Sequence, residues 1–201
     1  MKKLMCYLCF VWVLYLCSSV MTYLPTDQEG EEVAVCLSEE EQKLYQLITD
    51  YRKSKGLDSI PLSRSLTYVA QAHVKDLEIN TPITNRCNMH SWSNDGDWTA
   101  CCYTGDHAQA KCMWNKPKEL TNYTGYGFEI SYGGFGAYEA NATDALQQWK
   151  GSSGHNAVII NQGIWKSSKW QAVGVGIFGS YGVVWFGKVK DTTSTPAICL
   201  K

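Results

Sequence analysis

The placement of the cysteines constrains this chain more than any other feature. Of the nine, Cys6, Cys9 and Cys17 fall in an uncharged apolar stretch, LMCYLCFVWVLYLC, which follows the basic MKK and precedes the small residues SSV. That order is the order of a secretory signal peptide over residues 1–20. An uncleaved membrane anchor is the main competing reading, and a lipoprotein site at Cys17 fits poorly behind the bulky Leu16. Six cysteines remain, an even number in a chain expected to meet an oxidising compartment, so three disulfides are expected. Cys36 and Cys199 bracket the rest of the chain and could tie its ends together. Cys87, Cys101, Cys102 and Cys112 crowd into a short stretch. Adjacent Cys101 and Cys102 are poor partners for each other, so each is expected to bond either Cys87 or Cys112; spacing does not choose between them. The rival reading is a zinc knuckle of these four thiolates, which would more commonly carry a paired CxxC.

Residues 21–36 are polar and aperiodic and read as a linker, leaving 37–201 as one domain. Ser38 and Glu41 form an S-x-x-E capping box, followed by Leu44, Leu47, Ile48 and Tyr51 at helical spacing. A second helix starts near Ser63 or Ser65 with Leu66, Val69, Ala70 and Leu77 on one face. His73 shares that face and reads as a packed helix histidine. Residues 80–125 are long, aperiodic and rich in Cys, Gly, Asn and Asp, so they need covalent staples. GYGFEISYGGFGAY (125–138) alternates glycine with aromatics and reads as extended chain. NATDALQQWK is a third helix, and GSSGHNAVII starts another with Ser152 or Ser153 as N-cap. WQAVGVGIF and VVWFGKV form a hairpin about a four-residue turn, Gly179 to Gly182. With no βαβ alternation, this order predicts an α+β, layered architecture.

A net charge of −1 on 201 residues argues against a nucleic-acid-binding face. HExxH, GxxxxGK and GxSxG are all missing from the sequence, so the common hydrolase and nucleotide readings have no support. Three polar residues in unusual settings remain. His90 stands in HSW within the stapled loop, Glu129 in GFEI among glycine and aromatic residues, and His155 in SGHN at a helix start. Taken singly, each has a bland alternative: an exposed loop residue, a carboxylate facing solvent from an edge strand, and a first-turn filler.

Their order resembles that of the CAP superfamily, the cysteine-rich secretory, antigen 5 and pathogenesis-related proteins, also called the SCP domain. The resemblance spans about residues 38–190. It rests on the two leading helices, His90-Ser91, GFEI, W-x-x-S-x-G-H over Trp149 to His155, and the GVGIF hairpin, and is closest to the shorter bacterial type. It implies a three-layer α-β-α sandwich with a cleft in which two histidines and two glutamates meet, often on a divalent metal. His90, His155 and Glu129 match three of the four. Ser152 stands where the second glutamate is usual.

The resemblance implies His90, Glu129 and His155 as metal-binding or catalytic residues. Two imidazoles and a carboxylate suit Zn²⁺ with a fourth position for water, so zinc is the expected cofactor if there is one. The functional expectation is an exported monomer whose cleft binds a divalent metal, a small ligand or an extracellular partner. The alternatives are a secreted metal-assisted hydrolase acting on peptide or cell-envelope polymer, and a carbohydrate-contacting or adhesive module suggested by Trp92, Trp98 and Trp114. For those tryptophans, packing of the loop is the simpler reading. Asn122 and Asn141 head N-x-T sequons.

Overall fold

A computed structural model describes residues 35–134 and 136–200. The signal-peptide reading and nearly all of the linker reading lie outside the described residues. The elements are β1 (Cys36–Leu37), α1 (Glu39–Ser54), α2 (Arg64–Ile79), α3 (Ala110–Trp114), α4 (Lys116–Leu120), β2 (Gly127–Gly133), α5 (Ala142–Gly151), α6 (Ser153–Ile159), a 3-10 turn (Gly163–Trp165), β3 (Ala172–Phe178), β4 (Tyr181–Gly187) and β5 (Ala197–Ile198).

The helices begin where their caps dictate. The Glu41 amide donates to Ser38 Oγ at 3.2 Å and the Ser38 amide to Glu41 Oε2 at 2.8 Å, closing the capping box on α1. Ser63 caps α2 through the Leu66 amide, and Asn141 caps α5 through the Asp144 amide. Ser152 precedes α6 and makes no side-chain cap.

The central sheet is antiparallel with strand order β2-β4-β3, so β2 lies at an edge. Alternate residues of β4 face opposite ways. Val184 and Phe186 join a core with α1, α5 and α6, whereas Tyr181, Val183 and Trp185 join a second core with α2. Helices therefore cover both faces, which is why β4 reads as an unbroken apolar run. The result is the α+β, three-layer arrangement expected from the sequence.

Two glycines set the depth of α2. A Cβ on Gly174 would lie 2.1 Å from the Leu66 carbonyl carbon, and one on Gly176 would lie 2.6 Å from that of Ala70. The helix backbone thus rests directly on β3, a fit that only glycine permits.

The hairpin turn is shorter than expected. β4 begins at Tyr181, leaving Gly179 and Ser180 as the two loop residues. Gly179 has φ of 55°, the conformation required at the first position of such a turn. Glu78 accepts from the Ser180 amide and hydroxyl at 2.9 and 2.8 Å, fastening the turn to α2.

Three disulfides form: Cys36–Cys199, Cys87–Cys102 and Cys101–Cys112. They settle the pairing left open by spacing and consume all four thiols of the rival zinc knuckle. The first joins β1 to β5, a short parallel pair at the two ends of the domain. The stapled loop also contains α3 and α4, which the sequence did not reveal because each spans barely more than one turn. Among the described residues, no helix is long and apolar enough to cross a membrane.

Candidate functional site

Glu129 lies on edge strand β2, yet its side chain has no exposure to solvent. Strand alternation turns it toward α2, opposite to Phe128 and Ile130. A carboxylate in that position must be hydrogen-bonded. His73 Nδ1 meets Oε2 at 2.5 Å, and His90 Nδ1 meets Oε1 at 2.7 Å. Both carboxylate oxygens are thereby engaged by imidazole.

His73 is fully buried, and its Nε2 donates to the Ser91 carbonyl at 2.9 Å. Since that carbonyl can only accept, Nε2 carries hydrogen, and Nδ1 is the ring nitrogen that faces Glu129. Burial by itself would raise the Glu129 pKa. The charges and hydrogen bonds of His73 and His90 outweigh burial and hold the carboxyl below its ordinary value. The imidazole of His73 stacks on Trp92 with centroids 4.3 Å apart and planes 6° apart. Beyond Trp92 lies Lys116 Nζ, 5.3 Å from the indole ring. Lys116 is itself buried and bonded to Glu119 Oε2 at 2.7 Å and to the Thr99 carbonyl.

His90 is positioned by the stapled loop. Its amide donates to Asn88 Oδ1, and Trp92 and Cys101 exchange backbone hydrogen bonds at 2.8 and 3.0 Å. The Cys87–Cys102 and Cys101–Cys112 bonds clamp the same stretch. The His90 side chain is 18% exposed, so it links the buried carboxylate to solvent. Its ring packs edge-on to Tyr103, whose hydroxyl meets His107 Nδ1 at 2.8 Å.

His155 comes from the first turn of α6. Burial, and then the charge of His90, push its pKa below the ordinary 6.5, while Glu129 acts in the opposite direction. Its Nδ1 is buried without a hydrogen-bond partner. The structure therefore brings His90 onto Glu129 and places His155 within electrostatic reach of both.

His73 is the packed helix histidine that the sequence predicts, but that reading missed its contact with Glu129. A histidine on a buried helix face needs a polar partner, and Glu129 was a residue with the same need. That shared requirement was the available signal. Trp92 is buried, and Trp98 packs edge-on against it at 5.0 Å, so these two loop tryptophans serve packing.

The zinc expectation can be tested against the donors. Each Glu129 oxygen is already engaged by an imidazole, and His90 meets it through the Nδ1 contact and not beside it as a fellow ligand. Among the described residues, no group of three or more His, Cys, Asp or Glu side chains is arranged to hold a metal ion. Ser152 supplies no carboxylate in place of the missing one. This arrangement does not fit a three-ligand centre of His90, Glu129 and His155. It fits a carboxylate that orients histidines, as outer-sphere acids do.

Helices thus cover both faces of the sheet, and His73 and His90 converge on Glu129 of its edge strand, in keeping with an SCP-type domain. The cysteine-rich secretory protein (CAP) family profile matches residues 45–185, and the chain belongs to that family. Among solved structures it resembles an outer surface protein of Borrelia burgdorferi, with a TM-score of 0.51 and 19% identity over 76% of this chain and 94% of that one. It also resembles an extracellular SCP-domain protein of Bacillus anthracis, with a TM-score of 0.51 and 18% identity over 74% of this chain and 40% of the larger protein. At such identities the likeness is one of fold. No curated protein matches the chain.

Proposed function

We propose that this chain is an exported CAP domain that binds an extracellular ligand at the edge of its sheet. His90 and His155 meet the ligand, and Glu129 and His73 are positioning residues. The observation that carries this reading is the unpartnered, buried Nδ1 of His155 beside a histidine whose ring is fixed by a buried carboxylate. A buried polar atom without a partner is destabilising by roughly 1–3 kcal/mol unless something bonds it, so a ligand that does so recovers that energy. Nδ1 of His90 is committed to Glu129, which leaves Nε2 as its ring nitrogen for a ligand. Imidazole nitrogens donate or accept, so the two rings suit a group that does both, such as an amide or a sugar hydroxyl. Export is supported by the apolar N-terminal stretch, the three disulfides and the likeness to an extracellular protein of Bacillus anthracis.

Side-chain NMR of the four histidines tests this reading, with N-acetylated amino-sugar oligomers and short peptides as probes. The resonances of His90 and His155 should move together, and His155→Ala should weaken binding. If no probe moves either ring, or if the response survives His155→Ala, the assignment is wrong.

A further inference from the structure

A second set of residues, none of them a histidine, combines partly exposed aromatic rings with lysines. Residues 145–190 contain five lysines and no aspartate or glutamate, in a chain whose net charge is −1. Positive charge is therefore segregated into the part of the chain that builds α6, the 3-10 turn and the hairpin. Four rings run in a row through Phe128, which β2 turns away from Glu129. Tyr126 lies 6.4 Å from Trp114, Trp114 lies 5.7 Å from Phe128, and Phe128 lies 5.1 Å from Trp165. Tyr126 is exposed, and the other three are half-buried.

Lysines sit over three of these four rings. Lys118 Nζ sits 4.2 Å from the centre of Tyr126, and Lys188 Nζ sits over Phe128 and Trp165 at 5.1 and 5.6 Å. An exposed ammonium over a ring marks that face as reachable from solvent, and a lysine that swings toward an anion uncovers it. Lys166 and Lys169, both exposed, lie in the turn just after Trp165. Glu119, the acid next to Lys118, is occupied by Lys116 Nζ and the Thr99 amide, so it does not neutralise the patch.

We infer that this row is a docking surface for an acidic polysaccharide. Sugar C–H faces stack on the rings, and the lysines meet the carboxylate or sulfate groups. A row of several rings suits a linear polymer better than a single sugar. A bilayer would call for several protruding aliphatic residues, and beside these rings in sequence Ile164 is the strongly exposed one among the described residues. The inference does not depend on a ligand at His90 and His155.

Heparin, a sulfated uronate polymer, is the probe, with neutral dextran and anionic phosphatidylglycerol vesicles as controls. The wild-type domain should be retained on heparin and released by salt, and it should ignore dextran. The double variant Lys118→Gln/Lys188→Gln should bind at least about tenfold more weakly. Trp165→Ala should also weaken binding, whereas Ile164→Ser should not. Circular dichroism of each variant confirms folding. Three outcomes overturn the inference: no retention of wild type, retention insensitive to both the lysine pair and Trp165, or vesicle binding that Ile164→Ser abolishes. The lysine variants should leave the histidine resonances in place, so failure here and failure of the edge-site reading are distinguishable.

Discussion

His73 Nδ1 and Glu129 Oε2 lie 2.5 Å apart, in a position where neither side chain reaches solvent. Helix α2 and edge strand β2 are thereby joined by a buried ionic contact at the point where His90 also arrives. Breaking such a pair by removing one partner typically destabilises by about 3–5 kcal/mol, because the remaining charge is left uncompensated. Glu129→Gln should therefore lower stability on that scale, read from urea unfolding. His73→Phe in the Glu129→Gln background should recover part of the loss. A Glu129→Gln variant within about 1 kcal/mol of wild type would show that the pair is not what holds α2 to β2.

Acid should weaken the fold through two groups acting in the same direction. The Glu129 carboxyl titrates lower in the folded protein than in the unfolded chain. Its contribution is complete above the ordinary carboxylate range and is lost as pH falls through the lowered value. His155, pushed below 6.5 chiefly by burial, refuses a proton that the unfolded chain accepts. Its effect therefore begins near pH 6.5 and grows downward. Tm should fall from pH 7 toward pH 4, and His155→Gln should flatten the upper part of that slope. A Tm that rises on acidification would contradict both signs.

Zinc should bind weakly. With both Glu129 oxygens engaged, titration calorimetry should show little uptake, and His90→Ala and His155→Ala should change it little. Tight, stoichiometric binding lost in both variants would mean that Glu129 gives up an imidazole to ligate the metal.

The glycines beneath α2 should be intolerant of any side chain. Gly174→Ala places a methyl against the Leu66 backbone, which cannot move without lifting the helix. Overpacking of this kind costs about 1–3 kcal/mol or more. Gly151→Ala, with nothing within 4 Å, is the control and should be neutral or slightly stabilising. Equal thermal shifts for the two variants would remove the close-contact argument.

Much of this was legible in the sequence, where local chemistry decided the outcome. The capping box of Ser38 and Glu41 and the apolar spacing of α2 placed their helices correctly. The cysteine count anticipated the disulfides, and the order of motifs carried the family. What escaped was non-local or short. α3 and α4 are too brief for periodicity to show, and the pairing of Cys101 with Cys112 depends on a loop path that spacing does not encode. His73 looked like core because its partner lies 56 residues away on another element. The hairpin turn looked longer because glycines beside Gly179 resemble loop, although Gly182 pairs within β4.

The Cys36–Cys199 bond, beside the β1–β5 pair, gives the domain a mechanical property. Tension applied between chain before Cys36 and chain after Cys199 would pass through a covalent clasp and bypass the sheet. A load arriving through a ligand held at the sheet edge has no such bypass and would reach the packing of β2 directly. Pulled along its own chain, the domain resists as a closed link; pulled by what it holds, it would yield at its edge strand first.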